Sequence, residues 1–261
     1  MLVDSHCHLD FPEIADQLDD VFKLMRENQV ERALCVSVTL EDFPRVRRIA
    51  ETYAHIHGSV GIHPDYEKVD AVSVAELIAL ADNPRIVAIG ETGLDYYRLT
   101  GDLEWQRERF RTHIRAAREC GKPLIIHTRA AAEDTLRIMR EEGADKAGGV
   151  MHCFTESLDV AKAAMDLGFY ISFSGIVTFK NAKDIKAVAT GVPMESMLVE
   201  TDSPYLAPVP YRGRTNQPGY VKHVAEEIAR LKGVAFEQVC EITTNNFLRL
   251  FNIIEARPHV N

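Results

Sequence analysis

No stretch of this 261-residue chain holds the roughly 20 consecutive apolar residues of a membrane-spanning helix, so no bilayer span is expected. The first residues reach the charged Asp4 with neither a basic segment nor an apolar core before it. A secretory leader is therefore not expected, and the sequence reads as cytoplasmic. Paired-cysteine motifs are missing as well. Cys7, Cys35, Cys120, Cys153 and Cys240 are odd in number and have no CxxC spacing. Each lies in or beside an apolar run, which predicts buried free thiols. Positive charge is not in surplus: the formal net charge of −9 argues against a protein that coats nucleic acid non-specifically. It leaves room for an enzyme that takes a nucleic-acid end into a local basic cleft, with metal ions meeting the phosphate. No Gly-x-Gly-x-x-Gly follows the first apolar run, which weakens an open dinucleotide-binding sheet. No serine or cysteine nucleophile motif is apparent, and no linker or low-complexity stretch divides the chain.

What is present alternates. Apolar runs at 2–5, 32–38, 56–62, 85–90, 123–126, 148–151, 169–173 and 197–200 predict eight strands. Helical spacing predicts helices over 14–28, 43–53, 74–81, 103–120, 131–142, 158–167, 182–189, 220–231 and 236–251. A hydrophobic content of 46% is ample for one large core. Eight βα units in this length predict an α/β fold, a closed (β/α)8 TIM barrel, as a single domain over 1–261. The irregular segment 204–218 is expected to form a loop over the barrel mouth.

Side chains able to bind metal recur where the predicted strands end. His6 and His8 alternate at the end of strand one and so share a face. His63 follows strand three, Glu91 strand four, His127 strand five, His152 strand six and Asp202 strand eight. A barrel gathers its strand C-termini into one rim, so residues distant in sequence meet there. One histidine after an apolar run is most often structural; a set in phase across six strands is not explained that way. Imidazole nitrogens and carboxylate oxygens without thiolates suit Zn²⁺, Mn²⁺, Fe²⁺ or Mg²⁺. The count suits two divalent ions, with Glu91 bridging them, His6, His8 and Asp202 at one, and His127 and His152 at the other. Such a pair clamps a displacement at a phosphoryl or carbonyl centre.

Eight segments resemble the TatD family of metal-dependent deoxyribonucleases, in the amidohydrolase-type barrel superfamily. They are Asp4-Ser5-His6-Cys7-His8-Leu9-Asp10, Gly61-Ile62-His63-Pro64, Gly90-Glu91-Thr92-Gly93-Leu94-Asp95-Tyr96 and His127-Thr128-Arg129. The others are His152-Cys153-Phe154, Phe173-Ser174-Gly175, Glu200-Thr201-Asp202-Ser203-Pro204 and Arg212-Gly213-x-x-Asn216-x-Pro218. They run through nearly the whole chain in the family's order. The resemblance implies His6, His8, Glu91, His127, His152 and Asp202 as ligands. It implies hydrolysis of DNA phosphodiester bonds, often from strand ends, by water activated at a dinuclear metal site. Asp202 and Glu91 would be the catalytic carboxylates, with Asp202 taking the proton of the attacking water.

Other residues are candidates of a second rank. His63, Arg129, Arg212 and Asn216 are candidate substrate contacts, since arginine pairs well with phosphate oxygens. Tyr96, Tyr97 and Tyr205 have the rings to stack a base, with packing as the alternative. Asp4 shares parity with the histidines and is either an inward acceptor or a structural hydrogen-bond partner. Glu200 shares parity with Asp202 and, if buried, is expected to face an arginine or lysine. Cys7 and Cys153 should face away from the site by strand alternation. The arginine-rich helix around 107–118 reads as a solvated face. Two rivals share this ligand set. One is a hydrolase of carboxylic esters, lactones or cyclic amides, including removal of misattached D-amino acids from tRNA. The other is a non-catalytic metal-binding partner protein.

Overall fold

A computed structural model describes residues 1–254. The single-domain expectation over 1–261 takes in residues 255–261, which lie outside the described ones. Eight strands form one sheet, all parallel and in sequence order: β1 (Leu2–Cys7), β2 (Val30–Cys35), β3 (Ile56–Val60), β4 (Ile86–Asp95), β5 (Leu124–Arg129), β6 (Gly149–Met151), β7 (Phe169–Phe173) and β8 (Met197–Val199). Helices fill the connections: α1 (Pro12–Ala15), α2 (Leu18–Glu27), α3 (Phe43–Thr52), α4 (Val74–Ala81), α5 (Glu104–Cys120), α6 (Ala132–Glu141), α7 (Leu158–Met165), α8 (Lys183–Gly191), α9 (Val221–Lys232) and α10 (Phe236–Leu250). This is the (β/α)8 barrel that the alternating pattern predicts.

The sheet closes beyond β8 rather than within it. Cys7 bridges Ser203 in parallel, His8 N–H donates to Ser203 O (2.8 Å), and Asp202 N–H donates to His6 O (2.9 Å). The Asp4 carboxylate, fully buried, accepts from the Thr201 amide (2.8 Å) and hydroxyl (2.6 Å). Asp4 is thus a structural hydrogen-bond partner that fixes this seam.

Two apolar clusters hold the barrel. The larger lies between strands and helices. In the smaller, Val3, Leu34, Ala88, Ile125, Val150 and Leu198 converge from six strands on Phe247 and Phe251 at the end of α10. Burying each such side chain stabilises by about 1.5–3 kcal/mol relative to leaving it exposed. Asn246 of α10 donates to the carbonyls of Met194 (2.8 Å) and Met197 (2.9 Å), where β8 begins. The last helix therefore plugs the barrel end opposite the rim.

Three local expectations change. The predicted helix over 14–28 is two helices, because Gln17 leaves helical backbone (φ −137°, ψ 32°) between α1 and α2. Strand four does not stop at Gly90; it runs on to Asp95. Gly93 makes that possible: at φ +135° a Cβ there would lie 2.0 Å from the His127 carbonyl oxygen. The arginines of α5 are not simply solvated, since Arg111 and Arg115 reach across to Glu142 at the end of α6 (3.1 and 2.7 Å).

Candidate functional site

The rim of the barrel opens into a cavity of about 500 Å³. Glu91, buried within β4, stands at its floor and faces histidines with both carboxylate oxygens. Oε2 lies 3.3 Å from His6 Nε2. Oε1 lies 2.7 Å from His152 Nε2, 3.2 Å from His127 Nδ1 and 3.4 Å from His63 Nε2. Asp202 Oδ1 completes the ring, 3.5 Å from His8 Nε2 and 3.7 Å from His6 Nε2. All six predicted ligand positions are therefore brought together, and His63 joins them.

The grouping differs in two respects from the expected partition. His152 stacks on His6 (ring centroids 3.9 Å, planes 13° apart) and groups with His6 and Asp202. His63, a candidate substrate contact, groups with Glu91 and His127. His152 still reaches the same Glu91 oxygen as His127, so Glu91 remains common to both sides.

Four of the five imidazoles have their outer nitrogen tied to an acceptor. His8 Nδ1 donates to Val36 O (2.9 Å) and His152 Nδ1 to Glu200 Oε1 (3.2 Å). His127 Nε2 donates to Asp95 Oδ2 (3.1 Å), and His63 Nδ1 pairs with Asp65. An acceptor on the outer nitrogen holds the proton there and leaves the inner lone pair aimed at the carboxylates. His6 Nε2 and His152 Nε2 are buried and make no hydrogen bond. Buried ring nitrogens facing carboxylate oxygens without hydrogen-bond geometry between them fit divalent cations held in between.

Carboxylates and imidazoles shift one another: burial opposes protonation of His8, His127 and His152, but the facing carboxylates outweigh it and raise all three. Burial alone would push the Glu91 carboxyl up, but His152, His63 and His6 outweigh it and hold it well below the ordinary range. Burial likewise opposes ionisation of Asp202, and His8, His6 and His152 overcome it. Burial and the neighbouring His152 push the His6 imidazole down, toward the neutral form that binds metal. Asp95 is held at about 2: burial opposes this, and the bond from His127 outweighs it.

Asp202 reaches the ring by an unusual backbone. Its φ is +56°, in the left-handed region that aspartate tolerates better than most residues. Cys153 (φ +42°) breaks strand alternation in the same way. It therefore lines the cavity instead of facing away as alternation predicts. Cys7 is buried as expected, with its thiol donating to Leu34 O (3.3 Å). Glu200 departs from expectation too. Among the described residues no arginine or lysine pairs with it; its Oε1 accepts from His152 and from the Cys153 amide (2.6 Å).

Of the candidate substrate contacts, His63 and Arg129 line the cavity. The Arg129 guanidinium sits 4.0 Å above the Tyr97 ring, and Arg98, paired with Asp65, joins the same wall. Tyr205 is half exposed at the mouth, whereas Tyr96 spends its hydroxyl on Asp134 (2.6 Å). Arg212 and Asn216 do not line the cavity. Arg212 lies over the Phe179 ring (3.7 Å) and bonds Ala207 O (3.0 Å). Asn216 is fully buried, and its amide ties Thr201 O (2.9 Å) to Tyr205 O (2.6 Å). Both residues shape the mouth loop. Asp95, Asp65 and Arg98 were missed as site residues by sequence reasoning. Asp95 lay inside the Gly-Leu-Asp-Tyr segment; the other two carried no signal that marked them.

The whole chain is similar to proteins of one family. The profile of the family described as "TatD related DNase" matches residues 3–252. An Escherichia coli K12 protein described as an uncharacterized metal-dependent hydrolase, YcfH, is 48% identical over 98% of this chain and 97% of its own length. The Bacillus subtilis protein YabD, described in the same words, is 43% identical over 97% of this chain and 100% of its own. The crystal structure of YJJV, a TatD homologue from Escherichia coli K12, superposes with a TM-score of 0.89 at 28% identity. It covers 97% of this chain and 98% of its own.

Proposed function

Because the chain belongs to the family of TatD-related DNases, and with it to the metal-dependent hydrolases, we propose that it hydrolyses phosphodiester bonds at the ends of DNA strands. Two divalent cations would be held at the rim, His6, His8, Glu91 and Asp202 offering donors to one and Glu91, His127 and His152 to the other. The observation that carries this reading is the division of Glu91, with Oε2 toward His6 and Oε1 toward His127 and His152. Zn²⁺, Mn²⁺ and Mg²⁺ all suit the donor set. When bound, such cations lower the pKa of water and offset charge on a phosphoryl group.

The chain's own residues do the rest. Asp202 is the more open carboxylate, 16% exposed against 3% for Glu91, and the facing histidines favour its charged form against burial. It is therefore placed to hold the attacking water and accept its proton. His63 stands at the cavity face, oriented by Asp65. Arg129 and Arg98 present guanidinium groups to phosphate oxygens, a wall that favours an anionic substrate over a neutral lactone.

The test is incubation of the purified protein with end-labelled single- and double-stranded DNA under Mg²⁺, Mn²⁺ or Zn²⁺, beside Asp202→Asn. Shortening of the label by the wild type alone is the expected result. Intact DNA under every metal, with ready cleavage of carboxylic esters, overturns the reading in favour of the ester hydrolase.

A further inference from the structure

Tyr205 keeps 53% of its surface exposed, although large apolar side chains are usually withdrawn from water. Its position is nonetheless fixed. Its amide donates to Asp202 O (3.0 Å), and its carbonyl accepts from the buried Asn216 amide (2.6 Å). An exposed ring on so firmly held a backbone is preorganised for a partner. Phe11 meets it edge to face, with centroids 6.1 Å apart and planes at 76°. Phe11 in turn stacks on His8 (4.6 Å, 19°), so the aromatic corner begins one ring away from the carboxylate cluster. Both rings line the cavity, so a flat heterocycle entering it can stack on one ring and meet the edge of the other. Leu206 lines the same cavity and supplies apolar wall.

We infer that Phe11 and Tyr205 form a stacking platform for the unpaired terminal nucleobase of a DNA strand. The inference rests on the nuclease reading and adds what that reading leaves open, the part of the strand that is recognised beside the phosphate. A base inside a duplex has both faces covered by its neighbours; an end base or an unpaired base offers a free face. The platform therefore selects single-stranded or frayed ends. It does so without reading sequence, since every base has a π-face. The adjoining arginines take the backbone phosphates, which places the terminal nucleoside on the Phe11–Tyr205 side of the cluster.

The test compares two short, internally labelled single-stranded oligonucleotides on the metal-loaded protein. One has ordinary ends; the other carries an abasic residue at both ends. The wild type is expected to favour the base-bearing ends by about 10- to 100-fold in kcat/KM, the range of one base–aromatic stack. Tyr205→Ala and Phe11→Ala should bring the ratio close to one, and Tyr205→Phe should restore it. Tyr205 is exposed, so its variants fold even if Phe11→Ala does not. A wild-type ratio near one, or an unchanged ratio in Tyr205→Ala, overturns the inference. If neither oligonucleotide is cut, the nuclease reading has failed. The same pair is then titrated by fluorescence anisotropy: tighter binding of base-bearing ends, lost in Tyr205→Ala, upholds the platform, and equal binding overturns it.

Discussion

Glu200 Oε1 lies 3.2 Å from His152 Nδ1, and this imidazole, not a cationic side chain, is the partner against which the carboxylate is buried. A carboxylate behind a ligand imidazole fixes its tautomer and raises its basicity. Glu200→Gln keeps the size but loses the charge. Metal affinity, measured by calorimetric titration with Mn²⁺, is expected to fall about 10- to 100-fold. An unchanged affinity would show that His152 needs no such support.

Asp202 occupies left-handed backbone, and asparagine adopts that conformation as readily. Asp202→Asn should therefore keep the wild-type circular dichroism and thermal midpoint while hydrolysis falls by about 10²- to 10⁴-fold. Asp202→Ala should lose the activity and some stability as well. A stable, active Asp202→Asn protein would remove Asp202 from the chemistry.

At Gly93 there is no room for a side chain, because a Cβ would press on the His127 carbonyl. Gly93→Ala should cost about 1–3 kcal/mol in backbone strain alone. Movement of β5 should also weaken metal binding, since His127 rides on the displaced peptide. Urea unfolding and metal titration on the same variant check both effects; normal values in both would refute this account.

His113 is fully buried on α5. Ile62 N–H donates to its Nε2 (3.1 Å), and its Nδ1 donates to Arg109 O (2.8 Å). Only the neutral ring can do both. Burial pushes its pKa down from 6.5 to about 4. Between those values the unfolded chain binds more protons than the folded one, so stability rises with pH. The contribution is complete above about 6.5 and is lost as pH falls toward 4, amounting to about 2 kcal/mol by about pH 5. Urea unfolding at the two ends of that window should show a smaller drop for His113→Gln than for wild type. Identical drops would assign the acid sensitivity elsewhere.

The barrel was legible because apolar runs alternated with amphipathic segments, and the rim followed from the barrel. His6 and His8 were legible because a strand repeats every second residue. Asp202 and Cys153 lie where that rule stops: at positive φ the side chain turns to the other face, and no pattern of residue types announces it. That is why Cys153 was placed on the wrong side. Glu200 was given a cationic partner because buried carboxylates usually need one, yet a histidine from another strand supplied the donor. Arg212 and Asn216 looked like substrate contacts because they sit in a polar motif on a mouth loop. Their hydrogen bonds run back into the loop itself, information that exists only once the loop has its shape.

The seam between β1 and the segment after β8 joins the two ends of the fold and also carries His6, His8 and Asp202. A chain still emerging from the ribosome, with its first strand made and its eighth not yet released, has half a cage and no means of retaining an ion there. The ring of His6, His8 and Asp202 is thus complete only once the segment after β8 has docked on β1. A cation held by these three side chains would act as a clasp across that seam, so removing metal should loosen the fold.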